Sequence, residues 1–237
     1  MLRTLPGFAH CHITRYGYAI EYDCIDPLAL DAALGAREIK GLFFAGQING
    51  TSGYEEAAAQ GLYAGINAGL YLRGEPPLIL SRADAYNGVL CDDLTGKGTN
   101  EPYRMMTSRA EYRLLLRQDN ADERLTELSR RTGLISDARY ALLMRKREET
   151  ARAKAALGVS VAPGEALRTL LEQRGEAVPN SGAKLYDLLR RRGVGYTDLL
   201  GLYPEKLPAV SAAAREAVEL DARYEGYIEK ERALVAR

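Results

Sequence analysis

The stretch GLFFAGQINGTSGYEEAAAQGLYAGINAG, Gly41 to Gly69, constrains the fold more than any other part of the 237-residue chain. It opens on a continuous apolar run, Gly41–Ala45, the pattern of a short strand buried on both faces. Glycines at 46, 50 and 53 mark a turn, and a helical stretch follows from near Tyr54 to about Arg73. Ser52 followed by Glu55 fits a capping box that starts the helix near Gly53. Ala57, Gly61, Gly65 and Gly69 then recur every four residues. A helical glycine costs about 1 kcal/mol relative to alanine, so this spacing predicts a smooth face pressed closely on a sheet. The N–H groups of Gly53 and Tyr54 are expected to point at a ligand beyond the strand's carboxyl end. An ordinary strand–turn–helix crossover uses the same residues, and the block lacks the G-x-G-x-x-G fingerprint. The residues alone leave both readings open.

A second strand is expected over Tyr16–Tyr22, which is aromatic and β-branched. Gly74-Glu75-Pro76-Pro77 ends the long helix, and beyond it only helices are predicted. They cover Ser81–Leu90, Ser108–Leu116, Asp122–Arg131, Asp137–Leu157, Glu165–Arg174, Ala183–Arg192 and Ser211–Leu234, with Ser81, Asn120, Ser136, Ser181 and Ser211 as caps. Joints rich in Pro and Gly near 159–164 and 176–182 divide this half into two packed bundles. In the last helix Val210, Ala213, Ala217, Leu220, Tyr224 and Tyr227 form one apolar stripe that needs a partner. The fold class is mainly α with a short α/β segment in front.

Charge and cysteine content narrow the function classes. Lys and Arg number 32 against 32 Asp and Glu, which excludes a uniformly basic nucleic-acid coat while allowing local basic faces. Three cysteines with no close pair give neither a disulfide framework nor a zinc knuckle and fit a reducing cytoplasm. The longest uncharged stretch, Ala57–Leu72, falls short of the roughly 20 residues a bilayer needs. Met1–Ala9 lacks the pattern of a signal peptide.

Weaker constellations carry a sharp and a bland reading each. His10-Cys11-His12 invites a metal, but a closed zinc site needs four ligands, and surface residues of a connecting segment are the expectation. Arg109, Arg113 and Arg117 fall on one face of the expected Ser108–Leu116 helix, where they suit either phosphate contact or an internal ion-pair network. Tyr103 and Tyr112 suit base stacking or a core. Arg145-Lys146-Arg147 and Arg190-Arg191-Arg192 are further basic clusters. Gly226, between Tyr224 and Tyr227, marks either a contact surface or close packing within the bundle.

Four strings lift the odds. GYAIEYD (17–23), the glycine block, EPYRMMTSRAEYRLLLRQDNADERLTELSRRTGL (101–134) and RYEGYIEKE (223–231) closely resemble the MnmG (GidA) family and run in its order over essentially the whole chain. Members are FAD-dependent enzymes that, with the GTPase MnmE, modify the wobble uridine of certain tRNAs at C5. The resemblance implies that NADH reduces FAD, that methylenetetrahydrofolate supplies a one-carbon unit, and that the full-length protein is a cytoplasmic homodimer. The N-terminal dinucleotide fingerprint has no match here, so the chain is expected to be a C-terminal fragment, inactive and colourless alone. Residues 1–75 are then the remnant of an FAD-binding, Rossmann-like domain. Residues 76–158 form a first helical bundle, and 159–237 a second that docks tRNA and the GTPase.

By the same resemblance Gln47 matches a flavin-contacting glutamine, and Gly46, Asn49, Gly50, Gly53 and Tyr54 line its turn. The helix terminus at Gly53–Glu55 is expected to stabilise the reduced ring. Arg109, Arg113, Arg117 and Arg190–Arg192 are candidates for RNA or partner contact. The family's essential thiols precede this chain, so Cys11, Cys24 and Cys91 are expected to be small buried hydrophobes. The alternative is a non-catalytic helical RNA- or protein-binding module with a vestigial FAD-domain segment. Shorter folate-dependent tRNA methyltransferases share the glycine block but lack the 101–134 string.

Overall fold

A computed structural model describes residues 1–19 and 21–236. The chain is mainly α, and its eight α-helices among the described residues all follow Gly53. They are α1 (Tyr54–Leu72), α2 (Tyr86–Asp92), α3 (Ala121–Arg131), α4 (Asp137–Leu157), α5 (Glu165–Gln173), α6 (Leu185–Leu189), α7 (Tyr196–Leu202) and α8 (Ala212–Val235). The described strands are β1 (Ser160–Val161) and β2 (Ala183–Lys184), an antiparallel pair with Val161 opposite Ala183.

Neither expected N-terminal strand is present among the described residues. Residues 41–45 make a single antiparallel bridge, Gly35 with Phe43. Tyr16, Tyr18 and Tyr22 carry no regular structure and are exposed, and residue 20 lies outside the described part. A strand needs a ladder on its edges, and no neighbour supplies one here. Polar side chains of α1 hold the irregular backbone instead. The Tyr63 hydroxyl donates to Ala32 O at 3.1 Å and accepts Leu80 N–H at 3.2 Å, and Asn67 Oδ1 accepts Leu78 N–H at 2.8 Å. Burial pushes the Tyr63 pKa up to about 12, so the hydroxyl stays protonated and can donate.

The buried face of α1 is therefore Glu56, Gln60, Tyr63, Ala64, Asn67 and Leu70, and the expected glycine-face packing is corrected. Gly61 and Gly65 have no atom within 4 Å of where a Cβ would stand. The helix does stop before Gly74, which follows the cap residue Arg73 and takes the positive φ of +69° that this position uses. Gly74 N–H bonds Tyr71 O and Glu75 N–H bonds Leu70 O, the double closure of a Schellman motif.

The first core joins Leu30, Leu34, Tyr63, Leu90, Leu94 and Tyr103, so it draws on residues before and after the expected boundary at 75/76. The larger core joins Leu157, Leu171, Leu188, Tyr196, Leu199 and Val218, on both sides of 158/159. Tyr196 is fully buried, and its hydroxyl donates to Pro208 O at 2.8 Å.

Ser136 and Ser211 cap α4 and α8 through side-chain oxygens, as expected. Three other expected caps fail. Asn120 spends its amide on Leu115 O and Arg124, Ser81 bonds Asp84, and α6 starts after Lys184, because Ala183–Lys184 pair with β1. The helix expected over Ser108–Leu116 is only a 3-10 turn at Thr107–Arg109 followed by turns. On α8 the buried positions are Ala214, Val218, Ala222 and Ile228, one residue round from the expected stripe. Tyr224 and Tyr227 are exposed, and Gly226 faces open space, which removes close packing as its reason.

Candidate functional site

The turn between the extended segment and α1 is built around one buried amide. Gln60 Oε1 accepts Asn49 Nδ2 at 2.8 Å and Gly46 N–H at 3.3 Å, while its Nε2 donates to Thr51 Oγ1 at 3.0 Å. Thr51 Oγ1 donates in turn to Gly46 O at 3.0 Å, and Asn49 Nδ2 also donates to Phe44 O. The 3-10 turn Gly46–Asn49 is thus fixed from beneath, with Gly46 at φ +84° and Gly50 at φ +81°. On its other edge Gly50 O accepts Tyr103 N–H at 2.8 Å, and Ser52 N–H donates to Tyr103 O at 3.0 Å.

Gln47 points outward. It is exposed and lines a cleft of about 350 Å³ with Tyr22, Cys24, Gly50, Thr51 and Glu101. Gly46 is buried against Ala57, and Asn49 is buried scaffold whose Oδ1 has no partner among the described residues. Tyr54 is almost fully exposed. A Cβ at Gly50 would stand 2.9 Å from Thr99 Cγ2, so only glycine leaves this edge open. A free amide over a glycine edge suits a polyhydroxylated chain such as that of FAD, which meets both donors and acceptors there. The cleft side of the turn fits the group.

The helix terminus does not act as expected. The Ser52–Glu55 capping box is absent, and α1 has no side-chain cap at Gly53. The Glu56 carboxylate fills the space beside Gly53, 1.7 Å from where a Cβ would lie, and accepts Met105 N–H at 2.7 Å. Its negative charge already sits at the positive end of the helix and opposes a second anion there. The Gly53–Glu55 terminus therefore does not offer the open anion site expected for a reduced ring.

The arginines expected on one face are separated. Arg109 lies over the Tyr103 ring at 4.3 Å and donates to Arg104 O. Arg113 is exposed, and Arg117 is turned into a crevice where it pairs with Asp119 at 3.0 Å and Asp221 at 3.5 Å. Arg190 and Arg192 are exposed at the end of α6, and Arg191 donates to Ala177 O. Tyr103 is core, its hydroxyl donating to Asp93, so it cannot stack on a base. Lys146 and Arg147 pair across to Asp122, Glu123 and Glu127 on α3. Cys91 is buried, and burial pushes its thiol up to about 12. Cys24 is exposed on the cleft, not a buried hydrophobe.

The residues that hold the site, Gln60, Thr51, Glu56 and Tyr103, carry no motif by themselves. The signal for Gln60 and Glu56 was their four-residue spacing on α1, shared with the buried Ala64.

No helix among the described residues is long and apolar enough to cross a membrane. Residues 1–76 match the family described as "Glucose inhibited division protein A", and residues 137–232 match "tRNA modifying enzyme MnmG/GidA C-terminal helical domain". The chain is 53% identical over 244 residues to the tRNA uridine 5-carboxymethylaminomethyl modification enzyme MnmG of Heliobacterium modesticaldum, covering 100% of this chain and 38% of that protein. With the same enzyme of Caldicellulosiruptor saccharolyticus it shares 51% identity over 98% of this chain and 37% of the relative. The fold also matches Aquifex aeolicus GidA in the form II crystal with a TM-score of 0.79 and 40% identity, over 99% of this chain and 36% of that one. The chain thus spans less than two fifths of the relatives it matches. Two family matches, relatives at half identity and a shared fold converge: this chain belongs to the MnmG/GidA family.

Proposed function

We propose that this chain is the C-terminal part of a flavoenzyme that modifies the wobble uridine of tRNA at C5, in the carboxymethylaminomethyl pathway. The observation that carries the reading is the outward Gln47 amide on a glycine-edged cleft, in a chain of this family. Gln47 would bind FAD through its amide, with Gly46 and Gly50 giving the backbone close approach and Asn49, through Gln60, holding the turn. When bound, FAD supplies reversible electron transfer between a reductant and the carbon unit being delivered. In this reading the reductant is NADH, the carbon donor methylenetetrahydrofolate, and the place of work the cytoplasm. The helical half would dock tRNA and the GTPase MnmE, and the full-length protein would be a homodimer. Arg190, Arg191 and Arg192 are the proposed docking cluster, with Arg109 and Arg113 as further candidates.

The test is a chimera in which this chain replaces the corresponding region of the Heliobacterium relative. Expected are flavin absorbance in the purified protein and modified wobble uridine in tRNA from cells lacking the native enzyme. Gln47→Ala should cut flavin occupancy several-fold at unchanged folding. A folded chimera that holds no flavin, or full occupancy in the variant, overturns the assignment of Gln47.

A further inference from the structure

Gln60 is fully buried on the face of α1 that also carries Tyr63, Ala64 and Leu70, where an apolar side chain would cost less. Among the described residues all its hydrogen bonds go to the turn that carries Gln47, and the direction of its amide is not reversible. Oε1 faces the Gly46 N–H at 3.3 Å and Asn49 Nδ2 at 2.8 Å, and a backbone N–H can only donate. Nε2 therefore donates to Thr51 Oγ1 at 3.0 Å, and the Thr51 proton goes on to Gly46 O at 3.0 Å. One side chain thus holds both backbone groups of Gly46, the N–H directly and the carbonyl through Thr51.

That carbonyl belongs to the peptide plane joining Gly46 to Gln47. Gly46 sits at φ +84°, and a glycine has the freest backbone of any residue, so the plane needs a hold from outside. Gln47 is exposed, and among the described residues no side-chain hydrogen bond aims its amide. Its tie to the turn runs through the backbone, where Gly50 N–H donates to Gln47 O at 2.8 Å. The Gly46–Gln47 peptide therefore sets where the amide leaves the chain.

We propose that Gln60 is a positioning residue for the cleft: through the Thr51 hydroxyl it fixes the Gly46–Gln47 peptide and so sets the affinity for FAD without touching it. The proposal rests on the assignment of Gln47 to FAD and names the bond that orders its amide before a ligand arrives. Donors and acceptors make the bond separable. Gln60→Glu keeps an acceptor for Gly46 and Asn49, but when ionised it has no proton for Thr51. The hydroxyl then turns to the carboxylate, a stronger acceptor than Gly46 O, and the peptide is released. Once protonated, the new carboxyl can donate to Thr51 and the ring closes again. Its partners Gly46, Asn49 and Thr51 are uncharged. On the same buried face the ionisable groups are the Glu56 carboxylate, one turn before, and the protonated Tyr63 hydroxyl, three residues on. Burial and Glu56 both raise the pKa of a carboxyl placed there, so the ring should close as pH falls from about 8 to about 5.

The experiment measures flavin affinity of the chimera with the Heliobacterium relative, with the unfolding midpoint as a control on folding. At the alkaline end Gln60→Glu and Thr51→Val should each weaken flavin binding several-fold, and the double variant no further, because both cut one path. Thr51→Ser keeps the hydroxyl and should bind like the parent, so the pair of Thr51 variants carries the test where Gln60→Glu fails to fold. On acidification Gln60→Glu should regain affinity, while the double variant should not. In the chain itself, without flavin, the amide nitrogen resonance of Gln47 senses hydrogen bonding at the Gly46 carbonyl. It should move in Gln60→Glu and return with acid. Parent-like binding by both single variants, additive loss in the double variant, or acid recovery without the Thr51 hydroxyl overturns the proposal. An unaltered chimera that holds no flavin overturns the Gln47 assignment and this proposal with it. Flavin lost in Gln47→Ala but kept in Gln60→Glu and Thr51→Val overturns this proposal alone.

Discussion

The carboxylate of Glu231, on the last turns of α8, accepts the backbone N–H of Leu115 at 2.9 Å and that of Leu114 at 3.1 Å. Two consecutive amides converging on one anion form a small nest in a segment without regular structure. Through it the C-terminal helix grips a segment whose earlier residues, Tyr103 and Met105, bond Gly50, Ser52 and Glu56 at the start of α1.

Glu231→Ala should destabilise the chain by about 1–3 kcal/mol, the usual cost when partly buried donors lose a charged acceptor. Glu231→Gln should recover part of that. Urea unfolding measures both, and amide exchange at Leu114 and Leu115 should quicken in the alanine variant. Unchanged exchange there would show that the nest is not closed by Glu231.

Two glycines inside helices predict opposite signs. Gly65→Ala meets open space and should stabilise this chain by about 0.5–1 kcal/mol. Gly88→Ala would set a Cβ 2.1 Å from Ser81 O, a backbone atom, and should destabilise it by several times that. Thermal unfolding of the two variants checks the contrast. In the chimera with the Heliobacterium relative, Gly65→Ala should turn unfavourable if the face it sits on becomes covered.

Acid should weaken the Arg82 cluster first. Arg82 binds Asp92, Asp93 and Glu111 at 2.7–2.8 Å. Burial alone would raise the Asp93 pKa, but hydrogen bonds from Lys97, Tyr103 and Arg82 outweigh it and hold the carboxyl below its ordinary 3.8. The Arg82 bond likewise lowers Glu111 from 4.5. A depressed folded-state pKa gives stability that is fully present above the unfolded value and lost as pH falls through the folded one. Stability should therefore decline from about pH 4.5 downward, and Asp93→Asn should flatten the decline. A variant with the same acid slope as the parent would remove Asp93 from the account.

Reversing charge at Arg190, Arg191 and Arg192 to Glu should weaken binding of tRNA or of MnmE to the chimera by an order of magnitude or more. The contacts are charge-dependent, so raising the salt concentration should narrow the difference. Gel-shift and pull-down assays separate the two partners. Unchanged binding of both would remove the cluster from the docking surface.

Local signals made the long helices legible. Asp137–Leu157 matches α4 end for end, because Ser136 caps it and Gly158 follows it. The stop after α1 was equally plain, since Gly74 carries the needed positive φ. Illegible were the features decided by distant partners. The apolar run at 41–45 reads as a strand, yet pairing depends on neighbours that this chain does not supply. Ser108–Leu116 has helical composition, but Glu231 takes its amides at 114 and 115 and Arg82 holds Arg109 O, and both compete with helix hydrogen bonds. The stripe on α8 was displaced by one position, because alanines at 213, 214, 217 and 222 give a weak phase and small residues face the neighbouring helix. Helix α7 is not legible in the sequence because its seven residues carry too few periods. At the site, Gln47 could be named from a motif, whereas Gln60 matters through bonds reaching 9 to 14 residues away.

The grip of Glu231 also sets a clock on the ribosome. The amides at 114 and 115 emerge 116 to 117 residues before the carboxylate that satisfies them. At roughly 5–20 residues per second, that is a wait on the order of ten seconds. The core around α1 and α2 can pack in that time, while the strap beside it stays open to solvent, nascent-chain binders and proteases until α8 is made. A nascent protein stalled before residue 231 should be nicked within 108–118 and spared there once synthesis passes it.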